Sequence, residues 1–114
     1  MADLYDALES RDPAAREKDL FSALPALIYR AQQAKGWSTI LKGIDAAAIT
    51  SRRALADLPV TRKSELKDLQ KSSLPFGGLT TTATSQLSRI FMSPGPLFDP
   101  IVVVRSGYGV RILL

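Results

Sequence analysis

The chain has 114 residues, 46% hydrophobic and 23% charged, which is enough for one small globular domain and excludes a disordered or fibrous class. It contains no cysteine and no histidine, which excludes disulfides, Cys/His zinc sites, thiol nucleophiles and proton transfer by imidazole. The net charge of +4 comes from the residues after position 19, where the bases are scattered without interleaved aromatics. That pattern favours a solvated surface, so we do not expect nucleic acid as a partner.

The sequence also carries no signal for a membrane. No stretch approaches the roughly 20 apolar residues that cross a bilayer, and the first residues are acidic where a signal peptide is basic. The absence of cysteine is compatible with a reducing compartment. We therefore expect a cytoplasmic chain with no membrane contact.

A long amphipathic helix is predicted near the N-terminus. Asp12 followed by Pro13 is typical of a helix start, because the carboxylate caps the first N–H groups and proline suits the first turn. The helix is predicted to run toward Lys35-Gly36, and Pro25 inside it predicts either a kink or a division into two shorter helices. One apolar stripe follows the helical spacing of three and four: Leu20, Phe21, Leu24, Leu27, Ile28 and Ala31.

Shorter helical segments are predicted to fill the chain as far as residue 71. Residues 37–41 read as one or two apolar turns, and Asp45 is placed to cap a further short turn. Thr50 or Ser51 would cap a helix over 52–58. Thr61 is expected to cap the last helix, which carries an acid near its start and lysines toward its end, the order that suits the helix dipole.

The pattern changes after residue 72 from helical spacing to short strands and turns. Residues 87–92 read as a short strand, and Ser93-Pro94-Gly95-Pro96 then breaks regular structure. The valine-rich segments 101–104 and 110–114 have the spacing of a β-hairpin. The sequence therefore predicts an α+β fold, mainly α, in which several N-terminal helices precede short β-strands and a C-terminal hairpin.

Few residues are candidates for chemistry. Glu17 and Asp19 are expected on the solvent side of the long helix, where carboxylates are surface charge and not an acid/base pair. The glycines at 77–78 and the turn at 93–96 are the two loops that suggest phosphate binding, since glycine lets backbone N–H groups approach an anion. The second is expected to be a bare turn, because its two prolines lack N–H donors. We assign no catalytic residue and no metal ligand.

Three segments taken together resemble a known family. Residues 58–66 read Leu-Pro-Val-Thr-Arg-Lys-Ser-Glu-Leu, residues 75–78 read Pro-Phe-Gly-Gly, and residues 87–93 read Leu-Ser-Arg-Ile-Phe-Met-Ser. In this order they resemble the N-terminal region of phenylacetate-CoA ligases, which are AMP-forming adenylating enzymes. In that family the first segment opens a helix, and an Arg-led strand leads into a phosphate loop that binds ATP. The start at 5–9 and the long helix resemble the same region more loosely.

The resemblance implies a truncated enzyme. Residues 1–98 would be a fragment of a larger adenylating-enzyme N-terminal domain, and residues 99–114 an apolar tail that does not match, as in a truncated or frame-shifted reading of a longer gene. Ser93 and Gly95 would be the remnant of the ATP phosphate loop. The threonine pair, the second glycine and the basic residue of that loop are missing.

The resemblance also implies cofactors and partners. The full-length lineage would use ATP, Mg²⁺ and coenzyme A to convert a carboxylic acid into its acyl-CoA, whereas we expect no cofactor and no activity for this chain alone. Its partner would be the rest of the synthetase or another protein, bound through the apolar face of helix 13–35. The alternative is a small α-rich protein-interaction module without enzymatic activity, whose helix stripe docks on a partner.

Overall fold

The computed structural model describes residues 7–105 and 110–112, with an α+β fold that is mainly helical, as predicted. Four helices come first, and two 3₁₀ turns lie at 46–48 and 84–86. Two antiparallel hairpins follow, the first from β1 and β2 and the second from β3 and β4. The bounds are α1 Pro13–Gln32, α2 Lys35–Ile40, α3 Arg52–Ala56, α4 Lys63–Ser72, β1 Arg89–Ser93, β2 Leu97–Ile101, β3 Val103–Arg105 and β4 Val110–Ile112.

Helix α1 is one continuous helix. The side chain of Asp12 accepts a hydrogen bond from the backbone N–H of Ala15 at 3.0 Å, which is the predicted cap. Pro25 lies inside the helix without dividing it in two. The predicted end at Lys35-Gly36 is wrong: Ala34 adopts extended backbone, so α1 ends at Gln32 and Lys35 begins α2.

The hydrophobic core lies where α1 packs against α2 and the 46–48 turn. Its buried members are Ile28, Leu41, Ala46 and Ile49, with Leu24, Ala31 and Trp37 among the partly buried side chains around them.

The predicted apolar stripe of α1 only partly reaches that core. Ile28 is buried, whereas Leu20 is 57% exposed and Leu27 is 43% exposed. Leu20 and Leu27 lie seven residues apart, about two helical turns, and therefore on the same line along the helix surface. Ile28 lies on the neighbouring line, which packs against the core. One edge of the stripe therefore remains on the surface.

Helix capping follows the prediction at two positions and departs from it at a third. Asp45 accepts from the N–H of Ala47, and Ser51 accepts from the N–H of Ala54 at 3.2 Å. Thr61 is not the cap of α4. Arg62 takes that position, and its own N–H donates to the Glu65 carboxylate at 3.2 Å, so the capping acceptor comes from inside the helix.

The strand prediction holds for β1 and for the C-terminal hairpin, but β2 was not predicted. β1 pairs with β2 from Arg89 opposite Ile101 to Ser93 opposite Leu97. β2 contains Pro100, which a two-stranded sheet tolerates because every strand in it is an edge strand. β3 pairs with β4 as expected. Residues 106–109, which the sequence predicts as the turn of this hairpin, lie outside the described residues, as do residues 1–6 and 113–114.

The fold is extended for its size. Its radius of gyration is 16.2 Å, against about 13 Å for a compact domain of roughly 100 residues. Its accessible surface is 8709 Å², against roughly 6,100 Å² for a folded monomer of this mass. No side chain among the described residues is completely buried. Much apolar surface is therefore left uncovered.

Candidate functional site

The turn that contains Ser93 and Gly95 lies at the tip of the β1–β2 hairpin. Ser93 ends β1, and its hydroxyl donates to the carbonyl of Leu97 across the turn at 3.4 Å. Gly95 is exposed and has a φ of +136°, a backbone conformation that favours glycine. Pro94 and Pro96 flank it without N–H groups. The turn thus serves to reverse the chain and has few donors left for a phosphate.

A basic side chain does approach this turn, although the turn itself contains none. A Cβ built on Gly95 would lie 3.7 Å from Cε of Lys63, the first residue of α4. This lysine therefore lies 32 positions before Gly95 in the chain, a separation that sequence spacing could not reveal. One exposed lysine beside one glycine could contact an anion only weakly and does not form a phosphate-binding site.

The second glycine loop, at 77–78, is occupied by packing against α2. The carbonyl of Gly78 accepts from the N–H of Gly36 at 2.7 Å, and the N–H of Gly77 donates to Ser73 at 2.6 Å. A Cβ on Gly36 would overlap the Gly77 carbonyl oxygen, so no other residue fits there without movement of the backbone. These glycines permit a close crossing of two backbones, and the phosphate interpretation is not supported by this geometry.

The hairpin is attached to the helices by a residue that sequence reasoning did not single out. The side-chain amide of Gln70, in α4, donates to the Phe98 carbonyl at 2.8 Å and accepts from the Phe98 N–H at 2.9 Å. We call this pair of hydrogen bonds the Gln70 bridge. Among the described residues, Gln70 is a polar residue that is buried. Its amide satisfies the backbone N–H and the carbonyl of Phe98 in β2.

The acids of α1 form ion pairs on the surface. Glu17 accepts from Arg52 at 2.5 Å, and Asp19 accepts from Arg11 at 2.8 Å. The Arg52 guanidinium also lies 5.8 Å from the centre of the Phe21 ring. Both acids are more than two-fifths exposed, so they are surface charges, as expected. Within the described residues no three acidic side chains converge in a way that would hold a metal ion.

The β1–β2 hairpin presents large apolar side chains to solvent. Ile90 is 53%, Phe91 is 51% and Met92 is 65% exposed, although they are consecutive and therefore point to both faces of the hairpin. Phe98 on β2 is also exposed. We call these four residues the hairpin surface. Such a concentration of exposed apolar side chains is typical of a surface that another protein segment covers.

Comparison with known proteins supplies no relative. No family model matches the chain, and neither curated proteins nor solved structures match it. In the part of the chain that the structure describes, no helix combines the length and the apolarity that crossing a membrane requires.

Proposed function

We propose that this chain is the N-terminal segment of a phenylacetate-CoA ligase-like acyl-CoA synthetase. The lineage activity is the ATP- and Mg²⁺-dependent activation of a carboxylic acid and its transfer to coenzyme A, in the cytoplasm. The isolated chain has no ligase activity and no cofactor of its own.

The observation that carries this proposal is the local structure of the three matching segments. Residues 58–62 precede α4, which begins at Lys63. The 75–78 segment makes a tight turn against α2, and Arg89 begins a strand that ends at Ser93. Helix opening, glycine turn and Arg-led strand thus follow one another in the order that the resemblance implies.

The large uncovered surface supports the same proposal. The accessible surface is about 40% larger than the mass predicts, and several large apolar side chains among the described residues are exposed. The hairpin surface contributes four of the exposed large apolar side chains among the described residues. In the proposed enzyme the remainder of the adenylating domain covers it.

The Ser93–Pro96 turn supports the inactivity of the isolated chain. The Ser93 hydroxyl is bonded across the turn, and two of the four residues have no N–H. A catalytic phosphate loop needs several converging backbone donors and a basic side chain. ATP therefore has no adequate site at Ser93 and Gly95.

The DNA sequence around the gene tests the lineage directly. We expect a synthetase-like continuation downstream of codon 100, in the same or another reading frame. If no frame continues into an adenylating domain, the lineage proposal is wrong.

An activity measurement tests the second part of the proposal. The purified 114-residue chain, incubated with ATP, Mg²⁺, coenzyme A and a panel of aryl acids, is expected to release no pyrophosphate. Pyrophosphate release above a protein-free control would show that the chain is itself an enzyme.

A protein-interaction module is the second candidate function, and the exposed edge of α1 favours it. Leu20, Leu27 and Tyr29 are all exposed on this helix. A module of this kind would be monomeric and would unfold cooperatively on its own. A fragment of a larger enzyme would instead self-associate through its exposed apolar surfaces. Sedimentation, which reports self-association, and urea unfolding, which reports cooperativity, together distinguish the two functions.

A further inference from the structure

The strand β1 has one edge that no other described strand pairs with. In the part of the chain that the structure describes, β1 pairs with β2 alone, and β3 and β4 form a separate sheet. Residues 89–92 are exposed, and Ser93 is half-buried. β1 contains no proline and no acidic residue, and its one charge is Arg89 at its start. Such an apolar edge, with its backbone groups unpaired, is a template for a further strand.

The Gln70 bridge shows which backbone groups point out of this edge. The backbone groups of an antiparallel strand point alternately toward and away from the paired strand. Because Gln70 bonds the N–H and the carbonyl of Phe98 from outside the hairpin, Phe98 points away from β1. Met92 lies opposite Phe98, so its N–H and carbonyl point out of the free edge, and alternation gives Ile90 the same direction. Pro100, opposite Ile90, fits this pattern because its position needs no inward N–H.

The outer edge of β2 is closed to a further strand. The amide of Gln70 already occupies both outward backbone groups of Phe98. Pro100, the next residue with an outward position, has no N–H to donate. One copy of the chain therefore offers a single open edge, and pairing through it ends at two copies.

We propose that two copies of this chain pair antiparallel through β1, about a two-fold axis at Phe91. In this register Ile90 lies opposite Met92 of the second copy, so the outward N–H and carbonyl groups of both residues find partners. A shift by two residues, the smallest that keeps outward groups facing each other, leaves fewer residues of β1 paired. The inference concerns the 114-residue chain and does not rest on the proposed lineage.

The side chains of β1 suit this register. Ile90 and Met92 of the second copy form an apolar cross-strand pair, and each is more than half exposed in the single chain. Phe91 lies opposite the same residue of the second copy, where two rings can contact each other. Arg89 lies opposite the neutral Ser93, so like charges do not face each other across the pair.

Disulfide trapping tests the register directly, because the chain has no cysteine of its own. At the two-fold axis the two Cα atoms of residue 91 form a non-hydrogen-bonded pair about 4.5 Å apart, within the span of a disulfide. Phe91→Cys, oxidised with diamide, is therefore expected to give a covalent dimer on a non-reducing gel. In the same register residue 90 lies roughly 7–8 Å from residue 90 of the second copy, beyond that span. Ile90→Cys and Met92→Cys are the matched controls, since both positions are at least as exposed as Phe91.

A proline substitution tests the backbone pairing separately from the side chains. Met92→Pro removes an outward N–H that β2 does not use, whereas Met92→Ala removes the side chain and keeps the N–H. Met92→Pro should dimerise about tenfold more weakly than Met92→Ala in sedimentation equilibrium, because its inter-copy hydrogen bonds are lost. Amide exchange at Ile90 and Met92 in the unmodified chain should slow as the protein concentration rises, while exchange at Phe91, whose N–H points toward β2, should change less.

The outcomes separate a specific dimer from general adhesion of an apolar surface. Equal rates of covalent dimer formation at positions 90, 91 and 92 would show that the hairpins collide without a fixed register. A chain that stays monomeric at every concentration, with no covalent dimer at position 91, would show that β1 does not pair with itself. Species larger than a dimer would show that the edge of β2 is open. If Met92→Pro does not fold, the cysteine variants, which keep every backbone N–H, still decide the question.

Discussion

The helical body, residues 13–58, and the β1–β2 hairpin bury their apolar side chains to very different extents. In the body, Ile28 and Leu41 are buried against the 46–49 segment. In the hairpin, three consecutive residues from Ile90 to Met92 are each more than half exposed. The body thus has a core of its own. In the hairpin, most of β1 is exposed, whereas Ile101 at the end of β2 is buried.

The hairpin is attached to α4 through the Gln70 bridge. The Gln70 bridge supplies two hydrogen bonds and satisfies the backbone of Phe98. Hydrogen bonds of this kind contribute about 0.5–1.5 kcal/mol each, whereas full burial of one large apolar side chain contributes about 1.5–3 kcal/mol. The exposed side chains of β1 would therefore gain stability from burial against a further protein surface.

The largest expected effect tests the core of the body. Ile28→Ala should lower the free energy of unfolding by about 2–5 kcal/mol, because it leaves a cavity among side chains that cannot fully collapse. Leu20→Ala, on the exposed edge of the same helix, should change it by no more than about 0.5 kcal/mol. Urea unfolding followed by far-UV circular dichroism measures both. Equal losses at the two positions would show that the body has no distinct core.

The next largest effect is expected where the backbone of α2 packs against the backbone of residues 77–78. Gly36→Ala should destabilise the fold by up to about 3 kcal/mol, because its Cβ would meet the backbone of Gly77 and Gly78. Gly43→Ala meets no neighbour and should cost about 1 kcal/mol, through its φ of +79° alone. Urea unfolding gives the two values. A shift of the Trp37 emission in the first variant only would confirm that the crossing is the cause.

A local effect is expected when the Gln70 bridge is removed. Gln70→Ala should cost about 1–3 kcal/mol at the hairpin, since two hydrogen bonds to Phe98 are lost, while the body keeps its stability. Amide hydrogen exchange at Phe98 and at Ile28 separates the two regions. Gln86→Ala, on an exposed 3₁₀ turn, is the control. Faster exchange at Ile28 as well would show that the body and the hairpin unfold together.

The smallest change in stability is expected on the hairpin surface. Phe91→Ser should lower the free energy of unfolding by only about 1 kcal/mol, because half of the ring is already exposed. The same change should reduce self-association in sedimentation velocity, since it removes apolar area from an uncovered patch. Phe76→Ser is the contrast, because Phe76 is buried and its loss should unfold much of the chain.

The order and type of most elements could be predicted from the sequence, because their signals are local. The Asp12 and Ser51 caps and the apolar spacing of α1 each act within a few residues and were predicted correctly. The cap of α4 was predicted at Thr61, yet Glu65 reaches back to Arg62 instead. Two acceptors compete for the same N–H groups there, and composition alone does not rank them.

Features that depend on distant pairs could not be predicted. β2 carries Pro100 beside a turn with two further prolines, so its strand character appears only once β1 is paired with it. Gln70 reads as an ordinary helical residue until Phe98, 28 positions later, is placed against it. The position of the Lys63 side chain beside Gly95 likewise brings together residues from separate elements.

Residue-resolved hydrogen exchange on the unmodified chain tests most directly whether the body is a folded unit and the hairpin an uncovered one. The amides of Ile28 and Leu41 are expected to exchange only through global unfolding, whereas those of Ile90, Phe91 and Met92 should exchange through local opening at a much lower free energy. Protection of the hairpin amides equal to that of Ile28 would contradict this interpretation.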